Sequence, residues 1–300
     1  MNAIKIRNPV KWLIGWWKRT DTSKKIVFSI YFILFIAFAV MSLYPMFWCI
    51  INSMKPLEEY FEGSLALPKE FSLKNFGGVF TEYGIGNNGF FDMLVNSLWQ
   101  AFGSCLLNIA ASVMIAYPLA RYNFPGKKLI YGIIIFRITI PIIGSSAASF
   151  KLFRTLNMLD NPKVFWVAWL SGFDMAALIL YGYFKGISKT YSEAAYLDGA
   201  NRIQVLFNVV LPQAIPCIIA LYINQVMTKW NDYSTPMIYL RNYPNLAYGL
   251  YEFDNQSLFL EGGKPVYFAA VVLTSIPPIV LYAAGQKVML ENMSVGGLKG

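Results

Sequence analysis

Histidine is missing from all 300 residues. That excludes imidazole-based catalytic triads, histidine-ligated metal centres and the commonest proton relay of membrane pumps. Charge is also scarce. Asp, Glu, Lys and Arg together make up 14% of the chain, against the roughly 25% a soluble domain uses to cover its surface. No G-x-x-x-x-G-K-[ST] phosphate loop occurs, so ATP is not held by that route. The three cysteines, Cys49, Cys105 and Cys217, lie in or beside apolar runs. An odd number in that setting argues against a disulfide framework and reads as small packing residues. No carboxylate pair or nucleophile constellation stands out in the polar segments. Gly84-Ile-Gly86-Asn-Asn-Gly89 spells a dinucleotide fingerprint, but it falls in a loop between spans, without the strand and helix such a site requires.

What the chain has in excess is apolar surface. Hydrophobic residues make up 56% and the mean hydropathy is +0.46. Spanning a bilayer takes roughly 20 apolar residues in helix, and six segments qualify: Ile26–Ile51, Leu94–Leu119, Leu129–Ala148, Phe165–Phe184, Ile215–Met227 extended on either side, and Tyr267–Val288. The predicted fold is therefore all-α, a polytopic membrane protein with six transmembrane helices. The first segment is too long for a signal peptide and lacks a small-residue cleavage site. The 26–290 span domain is expected to lie between an N-terminal tail, 1–25, and a C-terminal tail, 291–300.

The net charge of +9 fits membrane orientation better than nucleic acid. Lysines and arginines are more numerous in the N-tail, the loops after spans two and four, and the C-tail than in the opposite loops. The positive-inside rule then places both termini and the 185–213 loop in the cytoplasm. The N-tail run Val10–Arg19 is apolar with basic flanks and reads as an interfacial helix on membrane lipid, with docking to a partner subunit as the alternative. Lys55 to Asp92, the longest outer loop, is too short for a core of its own and is expected to be an ordered cap.

The 185–213 loop reads as two short helices around a glycine turn. Ser192 and Glu193 open or anchor the first, and Gly199 permits the backbone angles that end it. Ile203, Leu206, Phe207 and Val210 recur at helical spacing and give the second an apolar face. Pro212 fits a break before the next span. Glu193 beside Ala194 and Ala195 makes a low-profile charged knob. It suits insertion into a cleft of another protein, or equally a connector resting on lipid headgroups.

Glu193-Ala194-Ala195, then Gly199 after three residues, then Val209, Leu211 and Pro212, resembles the EAA loop of binding-protein-dependent ABC importer permeases, EAA-x3-G-x9-I-x-L-P. The one departure is Val209 for isoleucine. Leu43-Tyr-Pro45-Met-Phe-Trp48, Asn96-Ser97-Leu98, Ala116-Tyr117-Pro-Leu119-Ala120-Arg121, Asp198-Gly199-Ala200 and Trp230-Asn231-Asp232 are similar to the six-span subunit of maltose-type carbohydrate permeases. Pro118 stands where that subunit usually has alanine.

The resemblance implies a type I ABC importer permease fold and no enzymatic activity. It implies a second homologous permease, two ATPase subunits that bind ATP and Mg, and an extracellular or periplasmic sugar-binding protein. No cofactor is expected on this chain itself. Glu193, Ala194, Ala195, Asp198, Gly199, Ala200, Leu211 and Pro212 would couple to an ATPase subunit, and Gly297 and Lys299 in the C-tail would also reach the ATPases. Asn224, Gln225, Trp230, Asn231 and Asp232 are candidates for the substrate path, Trp230 alternatively for an interfacial aromatic belt. Arg137 and Asp174, charges inside apolar runs, face the path or each other, or form interface pairs with the partner permease. An ion-coupled secondary carrier and a membrane docking protein are the competing function classes.

Overall fold

The structure, a computed structural model, describes residues 21–140, 144–257 and 263–293, the last four by backbone alone. The expected interfacial helix at Val10–Arg19 and the tail residues Gly297 and Lys299 lie outside the described residues.

Helix α1 (Thr22–Ser53) is unbroken despite Pro45. None of its apolar window is buried. It touches the rest of the chain near its end, where Trp48 meets Phe268 edge-on at 4.8 Å and Asn52 and Ser53 are fully buried. The cap follows as α2 (Leu57–Glu62), α3 (Lys74–Glu82) and an antiparallel hairpin, β1 (Gly84–Ile85) with β2 (Asn88–Gly89). The glycine run that spells a dinucleotide fingerprint is this hairpin. Lys55 is fully buried beneath the cap and donates to the Gly63 carbonyl at 2.9 Å. Asn75 donates to the carbonyls of Ser53 and Lys55. The cap is thus ordered by tethers to the chain beneath it.

Helix α4 (Phe90–Arg121) runs through a π turn at Trp99–Gly103. Then come α5 (Lys127–Thr139), α6 (Ser146–Thr155) and a short helical stretch, Pro162–Phe165 continued by a 3-10 turn at Trp166–Trp169. Next are α7 (Met175–Gly186), α8 (Lys189–Leu197), α9 (Arg202–Trp230), α10 (Ser234–Tyr239), α11 (Leu246–Gln256) and α12 (Gly263–Met293). Among the described residues, α1, α4, α9 and α12 are long and apolar enough to cross a bilayer.

The third and fourth expected spans differ from the sequence expectation. Helix α5 has 13 residues and α7 has 12. At about 1.5 Å per residue each falls short of a hydrocarbon core of about 30 Å. The run expected to end at Ala148 is divided between α5 and α6, and Pro141 lies outside the described residues. The Phe165–Phe184 run is interrupted before α7. There Gly172 has φ +57°, and a Cβ on it would lie 2.8 Å from Ala111 backbone. Only glycine lets the chain cross α4 at that separation.

The helices pack around two principal cores. One joins the cap to α4, α9, α11 and α12 through Tyr83, Met93, Val226, Trp230, Phe253 and Ala269. The other joins α4, α7 and α9 through Val113, Tyr117, Leu180, Phe184, Val205 and Val210. Helices α4 and α9 pass through both, so the two ends of the bundle share a common pair of supports.

Candidate functional site

The turn from α7 into α9 is built from local backbone motifs. Ser188 caps α8, its hydroxyl accepting from the Thr190 amide at 3.3 Å. This corrects the expectation that Ser192 and Glu193 open the helix, since both lie inside it. At the other end the Gly199 amide donates to the Tyr196 carbonyl and the Ala200 amide to the Ala195 carbonyl. With Gly199 at φ +84° this is a Schellman closure, which satisfies the last carbonyls only if that residue adopts a left-handed conformation. Asn201 then caps α9, accepting from the amides of Ile203 and Gln204 while Gln204 accepts from its own amide.

No break separates this turn from the next span. Helix α9 continues through a π stretch at Val205–Val210 and past Pro212 and Pro216 to Trp230. Proline removes a backbone donor and crowds the preceding turn, and the widened stretch lies just ahead of it. Gln213 donates its side-chain amide to the Val209 carbonyl at 2.7 Å, and the Tyr183 hydroxyl of α7 donates to the Gln213 carbonyl at 2.8 Å. The expected apolar face splits as a result. Leu206 and Val210 are buried with Val205, whereas Ile203 and Phe207 are 69% and 57% exposed.

Glu193 and Ala194 face outward on α8 and Asp198 is exposed at its end. Ala195 and Ala200 rest against the inner core with Leu211. Pro212 is exposed. Leu197 is 90% exposed. The Tyr196 hydroxyl lies 3.5 Å from that of Tyr122, which in turn lies 3.4 Å from Tyr117 on α4. The Arg202 guanidinium sits 5.4 Å from the Tyr122 ring centroid. The elbow thus has an anchored side and a bare side, and the bare side carries the carboxylates of Glu193 and Asp198 beside Ala194 and Leu197.

The remaining predicted residues fall into two groups. Arg137 and Asp174 converge on the break before α7 without forming an ion pair with each other. Arg137 donates to Ser171 Oγ at 3.1 Å and the Phe173 carbonyl at 3.0 Å. Asp174 sits at the start of α7, not inside a span, and accepts from the Ala177 amide and Ser112 Oγ at 3.2 Å each. Its position just before an apolar helical run was a capping signal in the sequence.

The second group lies at the far end of α9. Asn224, Thr228 and Asn231 form an exposed polar stripe at i, i+4 and i+7. Gln225 is half-buried and donates to Asn108 of α4 at 3.0 Å. Trp230 is a core residue, 4% exposed, its indole donating to the Thr274 carbonyl. In this conformation little of it is open to a path or to lipid. Asp232 organises a turn, accepting from Lys229, Ser234 and Thr235. Burial works to raise its carboxyl, but the Lys229 ammonium and the hydrogen bonds outweigh it and hold the group below its ordinary value. Asn108, Ser112, Ser171 and Thr228 were missed, although each is a polar residue within or beside an apolar run.

Residues 108–294 match the family described as binding-protein-dependent transport system inner membrane component. The diacetylchitobiose uptake system permease protein NgcG of Streptomyces coelicolor is 27% identical over 269 residues, 88% of this chain and 86% of that protein. The arabinooligosaccharides transport system permease protein AraQ of Bacillus subtilis is 26% identical over 287 residues, 91% of this chain and 98% of that protein. A chain from the crystal structure of a bacterial ABC transporter that imports the acidic polysaccharide alginate superposes with a TM-score of 0.71 at 25% identity, covering 89% of this chain and 98% of that one. A second alginate transporter structure, holding an alginate pentasaccharide-bound periplasmic protein, shares the fold with a TM-score of 0.62 at 15% identity.

Proposed function

The chain belongs to the family of binding-protein-dependent transport system inner membrane components, and from that membership we propose that it is the permease subunit of an ATP-driven carbohydrate importer. It sits in the cell membrane as a multi-pass protein. It forms half of a translocation path with a second, homologous permease. Two ATPase subunits bind ATP and Mg on the cytoplasmic side, and this chain holds neither. A sugar-binding protein delivers substrate at the opposite face. Both termini and the elbow between α7 and α9 are cytoplasmic in this reading, as the distribution of lysine and arginine favours.

The observation that carries the reading is the elbow. Its outward side presents Glu193, Ala194 and Leu197, its inward side is anchored, and its second limb is the start of a 29-residue helix. A rigid knob that fits a cleft of an ATPase moves with that cleft when ATP closes the ATPase dimer. The carbohydrate assignment rests on the relatives, which include permeases named for diacetylchitobiose and arabinooligosaccharides. The exposed stripe of Asn224, Thr228 and Asn231 supports it, because exposed amides and hydroxyls suit sugar hydroxyls and are costly against lipid.

A secondary carrier would transport alone and ignore vanadate, which inhibits ATPase partners. The test is uptake by proteoliposomes holding the assembled complex. Glu193→Lys is expected to leave the complex intact and to lower uptake and sugar-stimulated ATP hydrolysis at least about ten-fold, the scale of reversing one desolvated charge contact. Vanadate-insensitive uptake by the isolated chain would overturn the reading.

A further inference from the structure

Beyond the end of α9, the polar stripe runs into two exposed aromatic rings. Tyr233 and Tyr251 lie face to face, with centroids 4.9 Å apart and planes 8° from parallel. They are 42% and 45% exposed, so each ring keeps much of its surface open. The turn that carries Tyr233 is locked by Asp232, whose two oxygens take hydrogen bonds from Lys229, Ser234 and Thr235. Asn245 ties that turn to the helix that carries Tyr251. It donates to the Asp232 carbonyl at 2.9 Å and accepts from the Tyr248 amide at 2.8 Å, capping α11. Helix α11 is held from below by the Tyr83 hydroxyl, which donates to the Leu246 carbonyl at 2.6 Å. The pair is therefore preorganised and does not depend on a partner to bring the rings together.

The chemistry around the rings is polar. Asn231, Asp232 and Ser234 flank Tyr233 in sequence. Asn231 uses its side-chain nitrogen on the Met227 carbonyl, and its side-chain oxygen has no partner among the described residues. A flat aromatic surface beside amide and hydroxyl groups matches a sugar ring, which offers C–H groups on one face and hydroxyls at its rim. We propose that the Tyr233–Tyr251 pair is a carbohydrate-stacking site at the outer mouth of the translocation path. It takes one ring of the transported sugar and passes it to the stripe of Asn231, Thr228 and Asn224. The proposal rests on the importer reading and names where this chain would first touch substrate.

The test uses the complete importer in proteoliposomes with diacetylchitobiose, arabinotriose and an alginate trisaccharide as probes. Tyr233→Ala, Tyr251→Ala, Tyr251→Phe and Tyr251→Trp are compared after each has been shown to co-purify with its partners. Each alanine variant is expected to slow uptake of the transported probe at subsaturating sugar by roughly two- to ten-fold, the scale of one aromatic stacking contact. The Phe and Trp variants should stay near wild type. Saturation-transfer NMR of the assembled permease–ATPase complex, with no binding protein added, should show contact to that probe in wild type and lose it in the alanine variants. Unchanged uptake and unchanged saturation transfer in both alanine variants overturn the stacking site and leave the importer intact. A fall in sugar-free, binding-protein-stimulated ATP hydrolysis, with saturation transfer retained, overturns it in favour of a protein docking surface. If the wild-type complex imports none of the probes, the carbohydrate reading fails and the stacking site fails with it.

Discussion

The elbow between α7 and α9 and the proposed mouth between α9 and α12 are built on different plans. The elbow is held by neighbours in sequence. Ser188 caps over two residues, Gly199 and Ala200 close α8 on carbonyls three and five residues back, and Asn201 and Gln204 cap each other. The proposed mouth has local ties at Asp232 and Asn245 but is also held across the chain. Asn96 donates to the Pro244 carbonyl, Gln100 to the Tyr243 carbonyl and Tyr83 to the Leu246 carbonyl, while Ser97 accepts from the Leu246 amide. Those partners are 143 to 163 positions apart. In the proposed importer, the part that receives force keeps its shape through its own backbone and leaves its outer side chains free. A part that must present a surface is positioned by the rest of the bundle.

Three substitutions test that contrast, beginning with the largest expected effect. Gly199→Val removes the left-handed residue that closes α8. The backbone strain is on the order of 1–3 kcal/mol for a β-branched residue. Because the strain falls on the elbow, ATP-driven uptake should fall more than ten-fold while the mouth keeps its sugar contact by NMR. If uptake survives, local closure of α8 is not what transmits force. Asn245→Ala removes both the α11 cap and the tether to Asp232, at a cost of about 1–2 kcal/mol. It should lower thermal stability of the purified complex by a few degrees and weaken sugar contact while leaving basal ATP hydrolysis unchanged. An equal loss of both activities would show that the two ends are not separable. Ser188→Ala deletes a single exposed cap worth about 0.5–1 kcal/mol. Uptake should fall less than two-fold, and a larger effect would mean the start of α8 is under more load than its exposure suggests.

The same contrast explains what could be read from sequence. The glycine turn was legible because a left-handed residue after a short helix is a local signal carried by Gly199 itself. The apolar face of the next limb was not. Ile203, Leu206, Phe207 and Val210 fit a 3.6-residue period, but the π stretch changes the winding, so Leu206 and Val210 turn inward while Ile203 and Phe207 turn out. At the third and fourth segments the apolar runs are longer than the helices α5 and α7 that form within them, and the fourth run is punctuated by Gly172 and Asp174. At the mouth, Trp230 was read as facing a path or an interface. Its burial depends on Thr274, 44 residues further on, and no local pattern points there. Asn224 and Asn231 do stand on one exposed face, as spacing along a helix allows, but Gln225 turns aside to Asn108 on α4.

The unbroken course of α9 has a mechanical consequence. Arg202 at the elbow and Trp230 at the mouth belong to one helix of 29 residues, about 44 Å long. A displacement at its base does not have to pass through a series of side-chain contacts, each with its own slack. It reaches the tip as tilt or rotation of a single shaft, without backlash. Only bending can absorb such a stroke, and the places where the shaft can bend are the π stretch and the turns around Pro212 and Pro216.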